Sequence, residues 1–358
     1  DESRREMTHS VCIVGAGIGA AHLAGFAQLP DLFTVHSICD LDEARGKALA
    51  ATQPGVGFTT DLAGVLANPA IDFVDICLPP HLHFKVCMQA LEAGKKVICE
   101  KPLVGSLAEA DQLAAKLAET GGFLSPVFQY RFGLGMSQLQ ALMAAGLAGR
   151  PYVGTLETHW DRPASYYDIP WRGTWAGEQG GALLGHAIHI HDLLPAVLGP
   201  VASVYADVAT RVNDIEVEDC AALSIRMESG ALVTSSVTLG CAENISRMRL
   251  MFEGFTVESD HAPYSLAEKG WRFVARAPTT QSQIDAVLAT VENPPIGYAG
   301  MFTAIAKALT GADSAYVTLQ DGRRSLEFVT AVYASARAGQ AVALPLTSDH
   351  PMYGGWMP

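Results

Sequence analysis

The chain has 358 residues, with 24 Lys and Arg against 37 Asp and Glu, giving a formal net charge of −13. That length accommodates about two domains, and the acidic balance argues against a nucleic-acid partner or an anionic membrane surface, both of which require a basic face. With 49% apolar and 17% charged residues the chain is globular rather than disordered, and a mean hydropathy of +0.20 hints at apolar surface buried between subunits. No stretch reaches ~18 apolar residues without charge, so no transmembrane helix is expected. The charged N-terminus, DESRREMTHS, lacks the apolar core of a secretory signal, and Met7 is a candidate start. The seven cysteines are scattered and show no C-x-x-C spacing. Cys12, Cys39, Cys77 and Cys99 lie in or at the ends of apolar runs, which reads as buried free thiols in a reducing cytoplasm.

In chain order, short apolar runs at 11–15, 34–40, 73–78, 96–100 and 123–128 alternate with helical patterns at 18–29, 42–52, 61–67, 81–93 and 107–120. The runs are rich in Val, Ile and Cys with little alternation, as expected of parallel strands buried on both faces. This predicts a doubly wound α/β domain over 1–125. Beyond it the rhythm changes. A helix at 135–147 precedes strands at 152–160, 203–212, 220–227, 231–239, 248–253 and 255–260, several of which alternate apolar with polar residues. Glu228-Ser229-Gly230 signals a hairpin, and helices return at 297–310 and 321–338. Residues 126–358 therefore read as an α+β domain with a large, mostly antiparallel open sheet. The stretch 161–181 reads as one long aromatic loop.

GAGIGA at 15–20 follows a strand and opens a helix, fitting G-x-G-x-x-G/A with Gly15, Gly17 and Ala20 in the three roles. Gly15 permits the tight turn, Gly17 lets the backbone approach a pyrophosphate, and Ala20 permits close helix–sheet packing. The loop Gly15, Gly17, Ile18 and Gly19 then presents a helix N-terminus to phosphates. Asp40 ends the second strand, where a carboxylate accepts ribose hydroxyls and repels a 2′-phosphate. This favours NAD over NADP, with Arg45 nearby. The alternative is a ligand-free turn in which Asp40 caps the helix from 42. Leu78 and Pro79 end the third run, where the crevice of an open sheet should lie, and His83 follows as either a site residue or a locally satisfied helix-terminal histidine.

Glu100-Lys101-Pro102 directly follows a strand end. Together with the glycine loop, Asp40 and the proline-rich turn before His83, it resembles the Gfo/Idh/MocA family of glucose–fructose oxidoreductase and inositol dehydrogenase relatives. FQYRF at 128–132, GGALLGHAIHIHD at 180–192 and DGRRSLEFVTAVYASARAG at 321–339 extend the resemblance over nearly the whole chain. It implies a Rossmann domain and a second, sheet-based domain that carries substrate and self-association, as a homodimer or homotetramer. It also implies hydride transfer between a nicotinamide and a CH–OH group of a sugar, cyclitol or keto-sugar. The lysine of the motif is catalytic in the family, which carries that role to Lys101. A lysine ammonium at a strand end can stabilise alkoxide character on the reacting oxygen; the alternative is a surface pair with Glu100.

The family's second motif has an Asp four residues before a His. Here those positions are Gly185 and His189, so the histidine is kept and the carboxylate is absent. A neutral imidazole can still take a hydroxyl proton. His186, three residues before His189 on one helical face, is a candidate replacement for the acid, and Asp192 either orients the imidazole or binds substrate. His186, His189 and His191 also invite a metal, but too few converge for a zinc site, and no metal is expected. His159, Tyr167, Trp171 and Arg172 are further substrate candidates, because aromatic faces suit the C–H faces of sugars; Tyr166 and Trp175 belong to the same loop, whose alternative is a clamp or subunit contact. Gln129 and Arg131 follow the domain junction, with Arg131 open to a cofactor phosphate, a substrate carboxylate or a partner acid. Two rival functions are a redox-neutral sugar-modifying enzyme with tightly held NAD and a catalytically decayed NAD-binding regulator.

Overall fold

The computed structural model describes residues 8–358, so Met7 and the stretch before it lie outside the described residues. Contacts divide the chain into two units. The first contains the chain up to Val127 together with Tyr298–Arg323, and the second contains Phe128–Gly297 and Arg324–Pro358. The contact division falls at 127, against an expected boundary at 125, and places 298–323 with the first unit. The physical reason lies on the first unit's sheet-covering helix. Phe302 stacks on Phe26 at 3.9 Å between ring centroids with 4° between planes, and Tyr298 lies 4.6 Å from His22. Gly25 permits that approach: a Cβ there would meet the Tyr298 Cβ at 2.9 Å.

The first unit holds a six-stranded parallel sheet in the order β3-β2-β1-β4-β5-β6, formed by β1 (His9–Val14), β2 (Phe33–Cys39), β3 (Gly57–Thr59), β4 (Phe73–Ile76), β5 (Lys96–Cys99) and β6 (Leu124–Pro126). Val11, Cys12, Ile13, Val97, Ile98 and Cys99 are all 0% exposed. Burial from both faces is why these runs lack alternation, and each buried Val or Ile contributes roughly 1.5–3 kcal/mol. The helices between them are α1 (Gly19–Ala27), α2 (Glu43–Ala50), α3 (Leu62–Ala67), α4 (His83–Glu92) and α5 (Leu107–Thr120). Asp42, Asp61 and Ser106 start α2, α3 and α5 by accepting the backbone N–H of Arg45, Gly64 and Glu109. The short β3 was not visible in the apolar pattern.

The second unit is built on an eight-stranded sheet. Its strands are β7 (Pro151–Asp161), β8 (Val201–Ala209), β9 (Cys220–Met227), β10 (Leu232–Thr238), β11 (Gly240–Phe252), β12 (Phe255–Glu258), β13 (Arg272–Ala275) and β14 (Val342–Ala343), in the order β13-β12-β11-β7-β10-β9-β8-β14. β10 and β7 run parallel and the other neighbours are antiparallel. Along β9 and β10 exposed and buried residues alternate, so one face is covered. The expected hairpin at Glu228-Ser229-Gly230 closes through Met227 N–H donating to the Ala231 carbonyl, with Gly230 at φ +89°. β11 begins at Gly240, well before the apolar signal at 248. The stretch expected as a loop over 161–181 contains the helix Trp175–Glu178. Trp175–Leu198 is long and apolar enough to cross a bilayer by composition, but it is mostly buried in the fold, as a core helix is. All seven cysteines are free, and Cys12, Cys39, Cys77 and Cys99 are buried.

Candidate active site

In the first unit the site begins at the carboxyl edge of the sheet. β1, β4 and β5 are parallel neighbours, so the turns that leave them emerge side by side. The ladder continues into those turns: Cys77 N–H donates to the Val14 carbonyl and Glu100 N–H to the Ile76 carbonyl. Gly15 adopts φ +106°, and a Cβ there would sit 2.4 Å from the Cys77 carbonyl oxygen, so only glycine fits. At Gly17 a Cβ would meet nothing within 4 Å, and among the described residues no acceptor takes the Gly17 or Ile18 N–H. An open glycine backbone with N–H groups to spare at a helix N-terminus fits a dinucleotide pyrophosphate. Asp40 accepts the N–H of Ala16 at 2.7 Å and of Asp42 at 2.8 Å, so it fastens the glycine loop to the end of β2. Arg45 pairs with both Asp40 oxygens from an exposed position, and is the partner that ribose hydroxyls would replace. Burial raises the Asp40 pKa, but the Ala16, Asp42 and Arg45 hydrogen bonds outweigh it and hold the carboxyl below its ordinary value. Asp42, not Asp40, is the helix cap.

Behind the Lys101 turn lies a fully buried network that the sequence reading did not identify. His22 on α1 bonds Asp75 of β4 through Nδ1 at 2.8 Å and Glu100 through Nε2 at 3.0 Å. The other Glu100 oxygen accepts the Lys101 backbone N–H at 3.0 Å. Both imidazole nitrogens face carboxylates, so two protons occupy these bridges, whichever atoms carry them. Burial alone would lower the His22 pKa, but the Asp75 charge overrides it and raises it well above the ordinary histidine value. Asp75 is raised by burial, against the pull of His22, and its Oδ1 has no hydrogen-bond partner. Donor atoms of His22, Asp75 and Cys77 lie within 4.8 Å of one another, but the His22 nitrogens are already committed to the carboxylates. Glu100 is thus a buried support for Lys101. His83 is likewise satisfied locally: Nδ1 lies 2.7 Å from the Pro102 carbonyl and Nε2 2.8 Å from that of Leu78. It ties two turns of the edge together, leaving no ring nitrogen for a ligand.

In the second unit the histidine segment is anchored by Glu218, another residue the sequence reading missed. Its carboxylate accepts the N–H of Gly181 and Leu183 and the hydroxyl of Tyr333. Gly181 is required there because a Cβ would sit 1.8 Å from the Glu218 carbonyl oxygen. The chain then makes a π-turn at Leu183–Ala187 before the α-helix Ile188–Leu198. That wider turn removes the α-helical i, i+3 face expected to join His186 to His189. His189 stacks on Tyr130 at 4.6 Å, whereas His186 meets the edge of Trp160 at 5.2 Å and accepts an Arg162 Nε–H at Nε2. Gly185 has open space: a Cβ would meet nothing within 4 Å.

The remaining candidates divide. Arg131 makes a bidentate pair with Asp192 at 2.6 Å on each bond, so Asp192 orients that arginine. Gln129 lies beside Arg131 on the same short 3₁₀ turn. Tyr166 and Tyr167 pack edge to face, and Arg172 lies over Tyr166 and Trp171 at 4.1 and 4.7 Å, so the aromatic loop forms one cluster. His159 is not in it. It bonds Ser236 on the opposite sheet face, since β7 buries Leu156, Thr158 and Trp160 and turns His159 outward. The period-2 signal that excludes His159 selects Trp160 instead.

Comparison with known proteins agrees with this geometry. Residues 9–128 match the model of an oxidoreductase family with an NAD-binding Rossmann fold, and residues 136–258 match the GFO/IDH/MocA C-terminal domain. The WlbA dehydrogenase from Bordetella pertussis, solved with NADH and UDP-GlcNAcA, is 28% identical with a TM-score of 0.83, over 95% of this chain and 98% of that one. D-glucoside 3-dehydrogenase of Escherichia coli is 30% identical over 194 residues, 53% of this chain and 54% of that protein. Inositol 2-dehydrogenase of Mycolicibacterium smegmatis is 32% identical over 145 residues, 40% of this chain and 42% of that protein. The chain thus spans about half the length of these two curated relatives.

Proposed function

This chain belongs to the Gfo/Idh/MocA oxidoreductase family, and from that premise we propose that it oxidises a CH–OH group of a sugar or cyclitol, or reduces the corresponding ketone, with NAD. The observation that carries the reading is the alignment of the glycine loop and the Lys101 turn on one edge of one parallel sheet. NAD, when bound, supplies the hydride acceptor. Gly17 and Ile18 N–H groups would hold its phosphates, and Asp40 a ribose. The Lys101 ammonium donates a hydrogen bond to the reacting oxygen and stabilises its negative charge as the hydride leaves. His189 accepts the hydroxyl proton, and the roles reverse in reduction. The relatives' named substrates, a glucoside and an inositol, support the polyol class.

The test is NADH formation over a panel of sugars, sugar acids and inositols, with Lys101→Ala and His189→Ala. Each variant is expected to lose at least ~100-fold in kcat while retaining NADH binding. Turnover within about threefold of wild type would remove the assignment. The glycine at 185, where the family motif has a carboxylate, motivates one second reading, redox-neutral chemistry on a tightly held cofactor. Its mark is substrate conversion with no change in added NAD, together with NAD released on denaturation.

Self-association through the eight-stranded sheet is supported by its outer face, where Val153, Leu232 and Tyr205 are 43, 49 and 41% exposed. Light scattering should give a dimer or tetramer, and Leu232→Glu should shift it toward monomer. A wild-type monomer at micromolar concentration would end that reading.

A further inference from the structure

The second unit contains a cation without a counter-ion. Arg131 pairs with Asp192, Arg172 with Glu178 and Arg247 with Glu157. Arg162, half-buried, has no carboxylate within ion-pair distance among the described residues. Its three hydrogen-bond acceptors are all neutral: Nε donates to His186 Nε2 at 3.1 Å, Nη1 to the Asp161 carbonyl at 2.9 Å and Nη2 to the Tyr264 hydroxyl at 2.6 Å. A guanidinium has five N–H donors, so donor capacity remains on its terminal nitrogens. Three rings surround the charge, with Trp160, Tyr166 and Tyr264 centroids 5.1, 4.9 and 5.8 Å from the guanidinium carbon. These rings orient the guanidinium and supply cation–π attraction, but they carry no net charge to neutralise it.

We propose that Arg162 binds an anionic group on the substrate, so that the substrate is an acidic sugar rather than a neutral polyol. The inference rests on the oxidoreductase reading above and names the substrate class of that site. A fixed planar fork with spare N–H groups suits a carboxylate or phosphate, and a partly desolvated site strengthens the attraction. The aromatic walls fit the C–H faces of the same sugar ring. His186 then acts as a positioning residue: by accepting the Nε–H it turns the terminal nitrogens outward, and it needs no catalytic charge of its own.

The experiment compares D-glucuronate, D-glucose 6-phosphate and D-glucose as substrates of the full chain with NAD, for wild type, Arg162→Gln and Arg162→Lys. Wild type should favour one of the two anions over glucose in kcat/KM, and which one identifies a carboxylate or a phosphate. Arg162→Gln should lose about 10- to 100-fold on that anion, the range for a charged hydrogen bond, chiefly through KM, and less than about threefold on glucose. Arg162→Lys should recover part of the loss, whereas a merely structural role would lower all substrates together. A preference for glucose, or equal losses on anion and neutral sugar, overturns the inference and leaves the oxidoreductase reading intact. If none of the three turns over, calorimetric binding to the NADH-loaded protein decides: anion binding abolished by Arg162→Gln supports the inference, and anion binding that is absent or indifferent to Arg162 overturns it.

Discussion

Two glycine turns in this chain are each fastened by one carboxylate, and the two carboxylates shift in opposite directions. Asp40 accepts two backbone N–H groups and has Arg45 beside it; its pKa is held down. Glu218 also accepts two backbone N–H groups, together with the Tyr333 hydroxyl, but among the described residues it forms no ion pair. Burial pushes its pKa up to about 7 despite those donors. Three neutral hydrogen bonds do not offset burial at Glu218, whereas at the less deeply buried Asp40 the backbone donors and Arg45 together do. In the first unit Asp40 has Arg45 beside it, while the buried Lys95 is satisfied by the neutral Asn68 and Ile71 carbonyls. The second unit tolerates a protonatable acid at Glu218 and an unneutralised cation at Arg162, which is what a surface built to receive a charged ligand requires.

Removing a cation from buried acids breaks this comparison most severely. His22→Phe fits the volume but leaves Asp75 and Glu100 buried without their shared donor. Deleting one member of a buried charged network costs about 3–5 kcal/mol, so urea denaturation should show a loss of that size. Because the Glu100 carboxylate also holds the Lys101 N–H, kcat should fall more than stability alone explains, with NADH binding nearly unchanged. A stability loss below about 1 kcal/mol would mean that the network carries little charge.

Much of the first unit was legible because its signals are local. Strands buried on both faces read as unbroken Val, Ile and Cys runs, and the glycine turn must follow β1 directly. What escaped depends on partners far apart in sequence. His22 lies on a helix whose apolar spacing says nothing about Asp75 and Glu100, and Tyr298–Arg323 joins the first unit through partners far away in sequence, such as Phe26 with Phe302, Ser125 with the Val317 carbonyl and Asp111 with Arg323. The site was legible as a set of motifs but less so in its details. The family resemblance singled out His189 and Asp192, and helical spacing added His186, yet the π-turn separates the surroundings of the two histidines and Arg131 pairs with Asp192. Arg162 lies one residue beyond the end of β7, two after the buried Trp160, so strand alternation alone does not single it out.

The comparison sharpens when both carboxylates are titrated through stability. Glu218 has a folded pKa near 7, above the ordinary glutamate value of 4.5. Its folded form holds a proton that the unfolded chain releases, so its contribution is fully present below pH 4.5 and is lost as pH rises to 7. The difference of about 2.5 units corresponds to at most about 3.4 kcal/mol. Glu218→Gln keeps one of the two acceptor oxygens, removes the titration and should flatten that decline, so its stability relative to wild type should be higher at pH 8 than at pH 4. Asp40 has the opposite sign. Its folded pKa lies below 3.8, so its contribution is present above pH 3.8 and is lost as pH falls through the folded value. Asp40→Asn should therefore cost stability at pH 6 and approach wild type in acid, with the smaller effect because Arg45 is largely solvated. The Glu218 variant's urea midpoint should rise relative to wild type between pH 4 and 8, whereas the Asp40 variant's should hold level there and rise relative to wild type only as pH falls below 3.8. Parallel curves would show that the neighbouring cation does not set the ionisation of either turn.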